Sequence, residues 1–471
     1  MECDVLVIGS GPGGYRAAVL AALRGLKTVI VEKAVWGGCC LNRGCVPKKD
    51  WHHSARLLDS ARHFGGRGIV GDLRGDLGAA WRHQREVVAA VRDSYRSYLK
   101  RLGVTAVEGR ARFQDAGTVV VDPGATAISP RAVIIATGST PRMPQGIEAL
   151  SGRILHSDLL FDEPVPEGAR VAVVGGGVIA LEFAYILKAF GRDVRWLARN
   201  DPFARADFSA PAMKLLRAEL ADRGLVPIRE GVGEVEVGDR EIRLATTGGE
   251  AFVADWALFA TGRRPVTDGL DLERAGLRRD AQGYIVIDDE MRAAPAIYAI
   301  GDCVAGPMTA NRALYEASVA VDNILSPGGR KRDLAAVPEA VYSAIELARV
   351  GLTEEEAEDR GLEPAVGFAA FETSPRALGQ DDPRGYVRLV ADVDSGALLG
   401  GEVLGAEAGE LIHMLTAGAS GGALRRLASA RFNHPSRAEE FQNAAETLAA
   451  KWRLQDHVFG TGEGDGAPPE S

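Results

Sequence analysis

Twice along this chain an apolar strand runs into a glycine loop, a helix and a second strand. The first copy is Val5-Leu6-Val7-Ile8, then Gly9-Ser10-Gly11-Pro12-Gly13-Gly14, then the helical pattern Tyr15–Leu23, then Thr28-Val29-Ile30-Val31. The second is Arg170–Val174, then Gly175-Gly176-Gly177-Val178-Ile179-Ala180, a helix through Leu187, and the strand Val194–Leu197. Short strands that are apolar throughout belong in a parallel sheet covered on both faces. A glycine loop between such a strand and a helix brings backbone N–H groups and the helix N-terminus to a pyrophosphate. The chain is therefore expected to be α/β, with two Rossmann-like units that each hold a dinucleotide.

The two units differ where the sugar would lie. In the first, Gly9, Gly11 and Gly14 form the loop, and Glu32 closes the second strand, where an acid bonds a ribose hydroxyl. In the second, Gly175, Gly177 and Ala180 form the loop, but the strand ends in Ala198 and Arg199, with Arg205 a short loop later. A carboxylate there would repel a 2′-phosphate, whereas an arginine pairs with it. A charged hydrogen bond is worth about 1.5–3 kcal/mol, roughly ten- to hundredfold in affinity. NADP(H) is expected over NAD(H). Two further strands end in Thr-Gly, at Gly138 and Gly262, and one ends in Gly301-Asp302. Such small-residue ends suit close approach of backbone to a ligand, and Asp302 is a candidate partner for a ribityl hydroxyl.

Between the units lies Gly37-Gly38-Cys39-Cys40-Leu41-Asn42-Arg43-Gly44-Cys45-Val46-Pro47-Lys48-Lys49. Cys40 and Cys45 are five positions apart, about 7.5 Å along a straight helix and beyond the roughly 7 Å reach of a disulfide. If they pair, the backbone between them bends, and Gly44 and Pro47 permit this. Arg43, Lys48 and Lys49 supply positive charge that favours a thiolate. The pattern is that of a redox-active pair.

Near the C-terminus, His434 precedes Pro435, and Glu439 follows about one helical turn on. Proline at a helix start biases the residue before it to an extended conformation. An imidazole held by a carboxylate is a competent acid–base near neutral pH. From about Val337 the pattern becomes α+β, with a capping box at Thr353 and Glu356. Residues 51–102 read as helical, and His52, His53, His63 and His83 within them lack metal-ligand spacing.

Composition narrows the function. A net charge of -9 argues against a nucleic-acid surface. No apolar run approaches the roughly 18 residues of a membrane span, and the first residues do not read as a targeting segment. Five cysteines in 471 residues do not make a disulfide scaffold. A cytoplasmic protein without a membrane anchor, metal or nucleic-acid partner is expected.

Taken together, Gly9–Gly14, Cys40–Cys45, Gly175–Glu182, Gly301-Asp302 and His434–Glu439 resemble the class I pyridine nucleotide–disulfide oxidoreductases. That family includes glutathione reductase, dihydrolipoamide dehydrogenase and mercuric reductase, and the resemblance spans roughly residues 4–450. It implies FAD at the first unit, NADP(H) at the second, and a homodimer. It makes Cys45 the thiol against the flavin and Cys40 the thiol that exchanges with substrate. It places His434 with Glu439 at the other subunit's cysteines, and Lys48 or Lys49 with Glu182 near the flavin ring. Ala111 and Ala310 are further cofactor contacts that it implies. The implied domains are 1–146 (FAD-binding, first part), 147–265 (NAD(P)-binding), 266–335 (central, completing the FAD-binding fold), 336–455 (α+β dimerisation) and 456–471 (a disordered tail).

Departures from the family pattern bear on substrate. Val19 and Leu20 stand where glutathione reductases carry substrate-contacting arginines, and Val178 where they carry a gating tyrosine. Cys39 replaces a usual threonine and is expected to be passive. The expected activity is NADPH-dependent reduction of a small disulfide other than glutathione. The alternatives are a dihydrolipoamide dehydrogenase-like enzyme oxidising a dithiol with NAD, a dithiol oxidase, and a non-enzymatic flavin redox sensor.

Overall fold

The computed structural model describes residues 1–61, 64–204, 207–418, 422–450 and 454–460. It divides into two compact units, one of residues 1–202 with 223–334, the other of residues 203–222 with 335–471.

In the first unit, an eight-stranded sheet is centred on Glu2–Ile8, with Thr126–Ile135 and Thr28–Glu32 parallel on either side. Ile297–Ala299 and Thr105–Glu108 extend it outward in parallel, and Arg292–Ala294 forms one edge. Val5, Leu6, Val7 and Ile30 are 0 % exposed or nearly so, as strands covered on both faces require. Helix Pro12–Leu23 crosses over between the first two strands and packs against Ala310–Leu325. A second, all-parallel sheet has the order Asp193–Leu197, Arg170–Val174, Trp256–Phe259, Ile154–His156. Its crossover helix is Val178–Ala189. Ser139–Pro141 pairs antiparallel with Arg263–Pro265, joining the two Thr-Gly strand ends.

The cysteine-bearing helix Cys45–Ser60 lies on Val178–Ala189. Trp51, Phe161 and Phe183 are buried there, with ring centroids 5.0 and 5.8 Å apart in sequence. Truncating a core aromatic of this kind to alanine costs about 3–5 kcal/mol. This packing holds the cysteine helix in register with the second glycine loop.

The second unit is a five-stranded antiparallel sheet, in the order Glu339–Tyr342, Glu346–Gly351, Leu398–Leu404, Tyr386–Asp392, Pro364–Ala370. Helix Glu439–Ala449 packs on the last strand through Phe441, Ala444, Ala445 and Leu448, all 0 % exposed. The capping box forms as the sequence requires, with Thr353 accepting from the Glu356 N–H at 3.1 Å and Glu356 from the Thr353 N–H at 2.8 Å. Helix Ala210–Ala221, inside the span 147–265, makes its polar contacts in this unit. Ser209 donates from Oγ to Glu402 at 2.7 Å, and Arg384 pairs with Glu219 at 2.6 Å. Residues 456–459 are not tail-like: Gln455–Phe459 is a helix with Val458 buried. Residues 461–471 lie outside the described residues. Among the described residues no helix is long and apolar enough to cross a membrane.

Candidate active site

Helix Gly38–Arg43 ends at Gly44, and Cys45 opens the 16-residue helix Cys45–Ser60. A Cβ on Gly44 would lie 3.2 Å from Cys40 Cα and 3.3 Å from the Cys39 carbonyl oxygen. Gly44 itself is non-helical, with φ -136° and ψ -112°, so the chain bends there, and Cys45 comes within hydrogen-bond reach of Cys40. Both are thiols in this structure. The Cys40 thiol donates a hydrogen bond to Cys45 and this, against the opposing effect of burial, lowers the Cys45 thiol from 9.0 to about 7. Lys48 and Lys49 add to the lowering. Cys40 moves the other way, well above the usual thiol range, because it holds the shared proton and is itself buried. Of the three expected cations, Arg43 is committed elsewhere: its Nε bonds Asp162 at 2.7 Å.

The structure distinguishes the two lysines. Lys48 forms an ion pair with Glu182, whose side chain is only 2 % exposed, whereas Lys49 faces outward. Burial acts to lower the Lys48 ammonium, but Glu182 outweighs it and the net shift is upward. Lys48 is one turn beyond Cys45, and Glu182 is one turn into the second nucleotide helix, so the aromatic packing between these helices sets the pair.

In the glycine loops, strand and helix approach closely. A Cβ on Gly14 would sit 1.9 Å from the Gly9 carbonyl oxygen, so helix and strand approach as only glycine allows. By contrast, the Cβ directions of Gly138, Gly177 and Gly262 meet no atom within 4 Å, and that of Gly11 only the Gly38 Cα at 4.0 Å. These glycines face open space, the cradle a cofactor would fill. Glu32 accepts from Ser10 N at 2.9 Å and Ser10 Oγ at 2.7 Å on one oxygen, and from Ala34 N at 2.9 Å on the other. A carboxylate has about four lone-pair sites, so it is held in place with capacity left for a ribose. Gly109, two residues before Ala111, donates to the Glu32 carbonyl at 2.8 Å, and Ala111 itself is buried. Ala310 is the first residue of helix Ala310–Leu325, which Thr309 caps.

At the second loop, the Gly176 Cβ position lies 3.1 Å from the Asn200 carbonyl oxygen and 3.8 Å from Ala198 Cβ. Gly175 and the buried Ala180 flank this contact. Exposed Arg199 thus stands beside the glycine loop, between two residues that touch it. Arg205 lies outside the described residues, as does His63.

Several partners of the expected site residues Gly301 and Asp302, and residues near Cys40, escaped the sequence. Asp302 accepts from Ser139 Oγ at 2.6 Å; Arg263 donates to Ser139 Oγ at 2.8 Å and to Asp158 at 2.8 Å. Gly301 is clamped on both sides of its peptide: its N–H donates to Glu316 at 2.7 Å, and its carbonyl accepts from Arg312 at 2.6 Å. Tyr15 and Tyr95 stack at 4.1 Å, and burial together with the nearby Cys40 raises the Tyr95 phenol. None of Asp158, Arg263, Glu316, Arg312 and Tyr95 follows a motif spacing; Arg263, next to a Thr-Gly strand end, carried the only local signal among them.

In the second unit, helix Glu439–Ala449 begins four residues after Pro435, so the proline does not open it. Glu439 nevertheless reaches back. One oxygen lies 2.9 Å from His434 Nδ1, and the other accepts the Ser436 N–H at 2.6 Å. These two bonds, the His434 bond first, hold the Glu439 carboxyl below its ordinary value. An ionised Glu439 makes Nδ1 the donor and leaves Nε2 of the 71 % exposed imidazole to face solvent or a reactant. Two of the other histidines have local contacts: His52 is buried against Tyr185, and His83 pairs with Asp50 at 2.9 Å. Among the described residues no three His, Cys, Asp or Glu side chains assemble a metal site.

Two glycine-loop sheets, a thiol pair at the junction of two helices between them and an antiparallel C-terminal sheet define a flavin-linked disulfide oxidoreductase. Residues 3–317 match the pyridine nucleotide-disulphide oxidoreductase family and residues 337–445 its dimerisation domain, and the chain belongs to that family. The dihydrolipoyl dehydrogenase of Haloferax volcanii is 37% identical over 460 residues, covering 94% of this chain and 95% of its own. Dihydrolipoyl dehydrogenase 2 of Haloarcula marismortui is 35% identical over 455 residues, covering 94% and 96%. Among solved structures, LpdA of Mycobacterium tuberculosis matches with a TM-score of 0.86 at 25% identity, over 94% of this chain and 99% of LpdA. The HOCl-induced flavoprotein disulfide reductase RclA of Escherichia coli matches with a TM-score of 0.79 at 25% identity, over 94% and 100%.

Proposed function

We propose that this protein exchanges electrons between NADP(H) and a small disulfide or dithiol, using Cys40 and Cys45 as the reacting sulfurs in a homodimer. The observation that carries this is the hydrogen-bonded thiol pair at the start of a helix, beside the buried Lys48–Glu182 ion pair. FAD, held by the Gly9–Gly14 loop, Glu32, Ala111, Gly138, Gly301, Asp302 and Ala310, would relay electrons between nicotinamide and sulfur. The loop Gly175, Gly177 and Ala180, with Gly262, would hold the nicotinamide dinucleotide. Arg199 and Arg205 would take its 2′-phosphate.

In the reductive direction Cys40 attacks one sulfur of the substrate disulfide, breaking that S–S bond and forming a mixed disulfide. Cys40 shares its proton with Cys45 and needs a base to release it. His434 of the partner subunit, oriented by Glu439, is assigned that role and then protonates the leaving thiolate. Cys45 attacks the Cys40 sulfur, frees the second thiol and leaves the Cys40–Cys45 disulfide. Two electrons have then passed from the cysteines to the substrate. A second reading is favoured by the names of the relatives: the same steps run in reverse on a dihydrolipoyl-type dithiol.

The test is a steady-state survey of NADPH and NADH oxidation with low-molecular-weight disulfides, lipoamide included. It is paired with the reverse reaction on dihydrolipoamide. NADPH-dependent thiol production that Cys40→Ser abolishes is expected. Equal turnover by Cys40→Ser would overturn the sulfur route, and a strong preference for NADH would overturn the NADP(H) assignment.

A further inference from the structure

The mechanism uses two sulfurs, yet a third, that of Cys39, directly precedes Cys40 in the chain. Gly44 closes over the Cys39–Cys40 peptide, with its Cβ position 3.3 Å from the Cys39 carbonyl oxygen, so Cys39 lies on the same turn as the reacting pair. Cys39 feels the charge of Cys45, and Cys40 that of Cys39. A free third thiol here is a chemical hazard. Its thiolate could attack Cys45 in the Cys40–Cys45 disulfide, forming Cys39–Cys45 and releasing Cys40 as thiolate. That step conserves atoms and electrons and needs no oxidant. It would leave the pair in the wrong connectivity.

The surroundings of Cys39 oppose this. Its Sγ lies 3.7 Å from Asp158 Oδ1, with the thiol as donor. Asp158 is held by Arg263 at 2.8 Å, and both side chains are about nine-tenths buried. Arg263 is fixed in turn by the Ser139 hydroxyl at 2.8 Å and the Ser139 carbonyl at 2.9 Å. The acceptor is therefore rigid and cannot swing away from the thiol. We propose that Asp158, clamped by Arg263, is a positioning residue that engages the Cys39 S–H and so keeps this third sulfur out of exchange with Cys40 and Cys45. The inference rests on the Cys40–Cys45 reading of the proposed function. Burial, which dominates, with Asp158, Cys45 and Asp302 pushes the Cys39 thiol up to about 12, while Arg263 acts to lower it. Loss of the Asp158 charge would remove one of the two carboxylates, Asp158 and Asp302, that oppose Arg263 at Cys39, and so move the balance toward the thiolate.

The experiment is disulfide mapping and cysteine-resolved alkylation on the full-length flavoprotein, oxidised with excess lipoamide. Wild type is expected to show the Cys40–Cys45 bond, with Cys39 unreactive at neutral pH. Asp158→Asn is expected to show Cys39 alkylated at least about tenfold faster, a Cys39–Cys45 disulfide in the maps, and reduced turnover. Adding Cys39→Ser to Asp158→Asn is expected to restore turnover, a rescue that a merely structural role for Asp158 would not give. Wild-type Cys39 reacting as fast as Cys45 at neutral pH would overturn the inference. So would an Asp158→Asn protein that keeps only Cys40–Cys45, or whose turnover Cys39→Ser fails to restore. Failure of the underlying reading looks different: no Cys40–Cys45 bond forms in the wild type at all.

Discussion

Replacing Lys48 by methionine separates two roles of one side chain. The Glu182 carboxylate is 2 % exposed and Lys48 is its ion-pair partner. Removing one member of a buried pair leaves an uncompensated charge and costs about 3–5 kcal/mol. Replacing both members by apolar residues of similar size is often close to neutral. Lys48→Met should therefore lower the chemical unfolding midpoint strongly, and Lys48→Met with Glu182→Leu should recover most of the loss. The thiol responds differently. Lys48 is one of the groups that lower Cys45 from 9.0 to about 7, and Glu182 is not among its main influences. At a value near 7 about half of Cys45 is thiolate at neutral pH, against about 1 % at 9. Both variants should therefore show the Cys45 alkylation profile moved to higher pH, the stable double variant included. The assay is alkylation rate against pH, read at the Cys45 peptide, beside urea unfolding of the same proteins. A double variant as unstable as the single one would refute the ion-pair argument. A Cys45 profile unmoved in both would refute the electrostatic one.

Glu439→Gln should reduce turnover roughly a hundredfold or more through loss of the oriented imidazole, with little change in unfolding midpoint because His434 is exposed; turnover within twofold of wild type would remove the pair from the mechanism. Arg199→Glu with Arg205→Ala should erode the NADPH preference by roughly ten- to hundredfold in the ratio of kcat/KM values, and an unchanged ratio would show the phosphate lies elsewhere. Stability should depend on pH in two windows of opposite sign. Cys45 is lowered, so between about 7 and 9 the unfolded chain binds more protons and stability rises with pH. Cys3 and Cys303, raised by burial to about 11, contribute stability that is full below 9 and lost as pH climbs toward 11. Unfolding midpoints measured from pH 6 to 11 should pass through a maximum near 9, and Cys303→Ala should flatten the alkaline limb; a steady decline across 7–9 would contradict the Cys45 assignment.

Local signals in the sequence determined the two glycine-loop units, the thiol pair, the His434–Glu439 contact and the Thr353 cap. Each depends on residues within a few positions of one another, where helix and strand periodicity and turn chemistry act directly. The Pro435 reading shows the limit of such signals. Proline marked a break, but the helix opened at Glu439, where the sheet-facing residues Phe441, Ala444 and Leu448 find their burial. Tertiary structure alone decided that Lys48 rather than Lys49 meets Glu182, because that choice depends on how the Trp51–Phe161–Phe183 packing rotates one helix against another. It alone withdrew Arg43 to Asp162, and it alone brought Asp158, Arg263, Ser139 and Asp302 into one chain of hydrogen bonds from four separate segments. Sequence spacing carries a side chain's neighbours along one element; which charge a buried group meets across elements is set by packing, and burial is what gives that meeting its electrostatic weight.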